Sequence, residues 1–450
     1  MTNFDGSQQI LLRFGKQCRA GRLWFQPLNK PKGSTMINAH PQPRDAAAAQ
    51  KRATLGAALA GLALAVAFPA LADTLDQAKR IHDRIAGVPP SEQVLLNMKA
   101  ELDNNDGVAA AMLAMEDDGF YNVTLKNWAA PWTNREMDVF VPLNDYVATV
   151  VGAVRDDRDF REILYADILY LADPALGLPA YSNSNNNHYA QLESAGLSLK
   201  DALVVRSQAS VTGLPADATA GVVTSRAAAR SFFKAGTNRA NFRFTLLNHL
   251  CMDLEQVHDV TRVPDRIRQD VSRSPGGDAR VFLNNCLGCH SGMDPLAQAF
   301  AYYDYEYDAD NDLTGENGSI SYNAEGAIDA ATGTRVKAKY HINSATFPYG
   351  YVTPNDHWTN YWREGQNQVL GWDSALPGEG DGARSMLMEL SHSEAFASCQ
   401  VKKVFKSVCL REPGDAADRA QLASMTTDFK NANYNIKQVF AESADYCKGE

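Results

Sequence analysis

Residues 284–296 read NNCLGCHSGMDPL. Cys286 and Cys289 are separated by two residues, and His290 follows the second cysteine directly. On a helix this spacing sets two thiols about one turn apart with an imidazole beside them. Two such thiols can add to the two vinyl groups on one edge of a porphyrin, and the imidazole then ligates the iron from below. A structural zinc site would call for four ligands, usually with a second cysteine pair, and the sequence has no second C-x-x-C. A thioredoxin-like dithiol would call for a βαβ context, which the flanks do not suggest. The motif therefore predicts one haem c, attached at Cys286 and Cys289, with His290 as the proximal iron ligand.

The flanks support a pocket. The run SPGGDARVFLNN, 274–285, breaks at Pro-Gly-Gly and then brings Val281, Phe282 and Leu283 on a short helix, with Phe282 expected against the ring. The carbonyl of Pro295 is the expected acceptor for the Nδ1 proton of His290, a bond that orients the imidazole. Phe300, Tyr302 and Tyr303 add aromatic mass. For the distal side the sequence offers His341 and His357, which flank HINSATFPYGYVTPNDHW, and Met386 and Met388, which precede the helix bearing Cys399. Met293, three residues beyond His290, stays on the proximal side.

The compartment follows from residues 54–72, TLGAALAGLALAVAFPALA. This stretch is uncharged, follows Lys51 and Arg52, and ends in Ala70-Leu71-Ala72, the layout of a cleaved secretory signal. Met36 would start an ordinary n-region, so 1–35 reads as an upstream extension and 36–72 as the signal peptide. No adjacent arginine pair precedes the apolar core, which favours the general secretion route. The predicted location is periplasmic or otherwise exported, with no stable membrane span after cleavage. Removing residues 1–72 leaves 34 basic and 51 acidic side chains, a net charge of −17. Such a surface repels nucleic acid and favours a basic redox partner. Setting Cys286 and Cys289 aside, Cys251, Cys399, Cys409 and Cys447 remain, an even number that suits two disulfides. Cys399 and Cys409 lie on one helical pattern about 15 Å apart, so each should reach Cys251 or Cys447, in an order the sequence leaves open.

The fold class reads as mainly α. A helical N-terminal domain spans 73–240, a c-type cytochrome-like haem domain with an inserted loop and hairpin 241–375, and a C-terminal helical segment 376–450. Helices are expected at 74–85 from a Thr cap, at EQVLLNMKAELD after Pro89-Pro90-Ser91, at GVAAAMLAM, at RDFREILYADILYLAD (158–173), and at TSRAAARSFF and NFRFTLLNHLC. The Gly-punctuated alternation of 313–345 suggests a small hairpin. DADND, 308–312, departs from a calcium loop at its sixth and twelfth positions, Leu313 and Ser319, and reads as a solvated turn. SNSNNNH, ending at His188, reads as a polar surface loop. G-x-S-x-G, P-loop and H-E-x-x-H patterns do not occur.

In order along the chain, RIHDRIAGVPPSEQVL, RDFREILYADILYLAD, GVVTSRAAARSFF, NCLGCHSGMDPLAQAFAYYDY, GAIDAATG and SEAFASCQVKKVF resemble the large exported cytochrome c proteins abundant in planctomycetes. The resemblance implies haem at Cys286, Cys289 and His290, and leaves distal ligand, partner and reaction open. Two functions follow as expectations: a monohaem electron carrier, or a haem enzyme of oxidase or peroxidase type with an open distal position.

Overall fold

The structure is a computed structural model that describes residues 73–234, 236–344 and 347–449. The expected signal peptide and upstream extension lie outside the described residues. Asp73, rather than Thr74, caps the first helix: its side chain accepts from the Asp76 amide at 2.8 Å, and α1 runs Thr74–Ala86 to a left-handed stop at Gly87. Ser91 caps α2, Glu92–Asp103, and Asp106 caps α3, Gly107–Ala114. The first and third of these pack on the last helix of the chain, and the second packs against both of them. Gly107 lies against Asp445 so closely that a Cβ would come within 1.7 Å of its carboxylate. Arg80 and Arg84 of α1 donate to the carbonyls of Lys448 and Cys447 at 2.6 and 2.8 Å.

The middle of the molecule is α4, Asp145–Arg155, in which every residue from Asp145 to Val154 is buried. A helix apolar on all sides belongs at the centre of a core. Against it lies a two-stranded antiparallel pair, β1 (Leu169–Ala172) and β2 (Leu203–Arg206), with Tyr170 opposite Val205. This corrects the long helix expected over 158–173. Only Glu162–Tyr165 is helical there, Ala166 turns extended, and all four residues of β1 are buried. The LYLA run satisfies its backbone from β2 and fills the space over Gly152 with the Tyr170 ring. A short apolar run reads equally as helix or buried strand, and tertiary packing decides. His188 also turns inward: its Nε2 accepts from the Ala172 amide and its Nδ1 meets the Pro179 carbonyl, at 2.9 and 2.7 Å.

Towards the motif the chain forms α5, Arg239–Thr245, then a wide π turn over Leu246–Leu250 that ends at left-handed Cys251. The motif straddles the start of α6, Leu287–Ala297, with Cys286 just before it. Beyond it, β3 (Tyr303–Glu306) pairs antiparallel with β4 (Ser319–Tyr322), and β5 (His357–Thr359) with β6 (Glu379–Asp381). The hairpin expected within 313–345 thus draws its first strand from upstream, with DADND in the connecting loop. There Asp308 and Asp312 accept from local amides.

The C-terminal part is α7 (Gly382–Ser391), α8 (Glu394–Cys409), α9 (Ala416–Asn431) and α10 (Ile436–Tyr446). One hydrophobic core includes side chains from α1 to α10, and the described fold is mainly α-helical. Among the described residues no helix is long and apolar enough to cross a membrane. The disulfide pairing that the sequence left open is Cys251–Cys399 and Cys409–Cys447.

The first bridge closes a polar lock. The π turn leaves carbonyls at its end without helical partners, and α8 supplies the donors. Gln400 donates to the His249 carbonyl at 3.0 Å and Lys403 to the Asn248 carbonyl at 2.6 Å. The Lys403 ammonium nitrogen also lies 3.2 Å from the Trp132 ring centre. His249 is fully buried and meets the Tyr146 hydroxyl through Nε2 at 2.7 Å. Burial, and then the nearby Lys403, push its pKa well below the ordinary value. The unfolded chain therefore binds a proton at His249 near pH 6.5 that the folded chain does not. Stability is expected to fall as pH drops below about 6.5, at up to about 1.4 kcal/mol per pH unit from this site. Urea unfolding between pH 7 and 5 checks this, with a shallower dependence expected for His249→Gln.

Candidate functional site

Two helical pieces meet at Cys286. Asp278 caps the helix Ala279–Asn285 by accepting from the Arg280 amide at 2.9 Å, and Cys286 ends it before α6 begins. Cys286 and Cys289 stand three positions apart at this junction, one turn of helix. Cys286 is buried in a small apolar cluster with Ile267, Val271 and Phe282, with Leu287 alongside. Phe282 thus stands beside Cys286, whereas Leu283 faces outward at 50% exposure. The Cys289 sulfur lies 3.5 Å from the Leu254 carbonyl oxygen. Both cysteines stand outside the two disulfides.

His290 and Asp294 share one face of α6, four residues apart. The Nδ1 atom of His290 lies 3.2 Å from both carboxylate oxygens of Asp294. The Pro295 carbonyl was the expected acceptor, and here the structure differs. Pro295 sits inside the helix, so its carbonyl points along the axis, while the i+4 side chain projects over the imidazole.

Asp294 is itself held. Arg239, at the start of α5, donates through Nε and Nη2 to its two oxygens at 2.7 and 2.8 Å. The same guanidinium grips Asp270 through Nη1 and Nη2 at 2.5 and 3.0 Å. Arg268 donates its amide to Asp294 at 3.4 Å and lies over the Tyr340 ring at 4.3 Å. Burial alone would raise the Asp294 carboxyl, but Arg239 and then His290 outweigh it and hold the pKa far below the usual range. The carboxylate is thus ionised and can only accept. The proton between it and His290 belongs to Nδ1, which leaves Nε2 as the nitrogen whose lone pair suits a metal.

Segment 254–259 and the turn at 361–363 pack on the other sides of α6. Asp259 donates its amide to the Gly288 carbonyl at 3.0 Å, and Ser291 donates to the Asp259 carbonyl at 3.0 Å. The His258 ring covers Gly288, where a Cβ would come within 2.3 Å of Nε2. Trp362 covers Gly292, with 2.0 Å between such a Cβ and its indole nitrogen. Gly292→Ala is expected to destabilise the protein by about 1–3 kcal/mol through overpacking, read as a lower urea midpoint at unchanged slope.

The four distal candidates have these surroundings. His341 meets the Thr353 carbonyl through Nε2 at 3.0 Å. His357 sits on β5, which packs beside α6, but its Nδ1 turns to Asp381 at 3.0 Å. Met386 is fully buried in the main core. Met388, on the same helix, is partly buried, and α7 packs chiefly on Glu162–Tyr165 and the turn 298–300. Met293 lies in the main core. Phe300 and Tyr303 pack on Phe233, at 5.4 and 5.7 Å between ring centres, and Tyr302 on Tyr322 at 6.0 Å.

Sequence reasoning missed Asp294, Arg239, Asp270 and His258. The i+4 spacing from His290 could have found Asp294; the other three are brought in by the fold. Among the described residues no group of three or more His, Cys, Asp or Glu gathers as ligands for a bare metal ion. The donor set suits haem c: two thiols one turn apart with a histidine beside them whose Nδ1 meets a carboxylate, and Ile267, Val271 and Phe282 packed on Cys286. Comparison of the chain with protein-family models, with curated proteins and with solved structures found no match.

Proposed function

We propose that the chain is an exported monohaem c-type cytochrome that transfers electrons through a haem bound at Cys286 and Cys289 and ligated by His290. The observation that carries this reading is the C-x-x-C-H turn joined to a buried, ionised carboxylate at His290 Nδ1. Bound there, the haem would supply one-electron iron chemistry. The two thiols tether, Nε2 ligates, Asp294 keeps the proton on Nδ1, and the cluster around Cys286 excludes water. Residues around 241–375 would form the cytochrome-like part, in keeping with the resemblance to the planctomycete proteins. Export is supported by the signal-like segment 54–72 and by four cysteines closed into two disulfides, which suits an oxidising compartment. The net charge of −17 after residue 72 fits a basic redox partner.

A haem enzyme with an open distal position is the second reading, favoured by His341 and His357 making their contacts elsewhere. The visible spectrum of the matured protein, oxidised and reduced, with and without carbon monoxide, separates the two. A low-spin spectrum unmoved by the gas supports the carrier. High-spin bands and rapid gas binding support the enzyme. A matured protein without covalently bound haem overturns both.

A further inference from the structure

We infer that Asp294, clamped by Arg239, is the positioning residue that sets the reduction potential of the iron at His290 on the low side. The inference rests on the haem reading and deepens it. Three observations meet at this carboxylate. It contacts the imidazole proton with both oxygens. Its side chain is fully buried, so water does not compete for that proton. Arg239 fixes its plane with two donors, so the acceptor cannot rotate away. An anionic acceptor on Nδ1–H shifts electron density into the ring and makes Nε2 a stronger donor. A stronger donor stabilises ferric over ferrous iron, so the reduced protein gives up its electron readily. A neutral backbone carbonyl, as expected at Pro295, would do so more weakly.

The long-range charge does not produce this effect. Asp294 and Asp270 face Arg239 and Arg268, and the four charges cancel. What remains is the local bond to His290, and that makes a controlled comparison possible. Asp294→Asn and Asp270→Asn each add one positive charge to the same cluster, but only the first changes the group on the imidazole.

The experiment is a redox titration of the full matured protein and both variants, each first shown to carry covalent haem. Asp294→Asn is expected to favour ferrous iron at least tenfold more than Asp270→Asn does, about 59 mV for one electron. Equal shifts in the two variants would overturn the inference. Should Asp294→Asn fail to fold, nitrogen-15 NMR of the exported Cys286→Ala/Cys289→Ala variant, which keeps both disulfides and carries no covalent haem, still decides. In whichever pH range the spectrum shows a neutral His290 ring, that ring is expected to carry its proton on Nδ1. A proton on Nε2 would overturn the assignment of Asp294. Absence of covalent haem from the matured protein would instead count against the haem reading and leave the NMR result standing.

Discussion

Replacing Cys251 and Cys399 together by alanine is expected to lower the unfolding free energy by about 5 kcal/mol. The bridge closes a loop with a sequence separation of 148. In the chain-entropy account, opening a loop of that length releases more freedom in the unfolded state than opening the second, with its separation of 38, for which about 4 kcal/mol is expected. The location adds to the difference. Cys399 stands one residue before Gln400 and four before Lys403, and those two side chains hold the end of the π turn that leads from α5 towards the motif. Domains of this kind hold about 5–15 kcal/mol in total, so loss of the first bridge removes a large share. Urea unfolding of the two double variants, compared at one pH, is the measurement. A smaller loss for the Cys251/Cys399 pair than for the Cys409/Cys447 pair would contradict the ranking.

The second large effect is on the proposed haem attachment. Replacing Cys286 and Cys289 together by alanine in the exported protein is expected to abolish covalent haem, seen as the loss of the tetrapyrrole increment in intact mass. The polypeptide should still fold. Cys286 belongs to a four-residue cluster apart from the main core, and removing a thiol there costs on the order of 1–2 kcal/mol. His290→Ala should keep the tether and change the ligation, visible in the absorption spectrum. Retention of covalent haem in the double variant would refute the attachment assignment.

Legibility in the sequence varied with how local the information was. The starts of α1 to α3 are written in Asp73, Ser91 and Asp106, whose side chains accept from amides three residues on, so sequence reading placed these helices within a residue or two. The motif turn was equally local. The strand β1 was not, because Leu169 to Ala172 become a strand only when Leu203 to Arg206 arrive to pair with them. The same holds for the disulfide order, which depends on how α8 and α10 are brought together. Around His290 the nearest partner was within reach of a helical wheel, yet the expected acceptor was the backbone carbonyl one residue further on. Arg239 and Asp270 lie 55 and 24 positions upstream of Asp294, and no pattern in the chain announces them.

The clasp between the two ends of the described chain has a consequence for biogenesis. Arg80 and Arg84 hold the carbonyls of Lys448 and Cys447, and Phe120 rests on Phe440 with 5.2 Å between ring centres. A polypeptide emerging from a ribosome or a translocation pore presents α1 to α3 first. The faces of α1 and α3 that meet α10 then wait for it, the last helix to appear. Closure of this part of the core is thereby postponed until α10 has emerged.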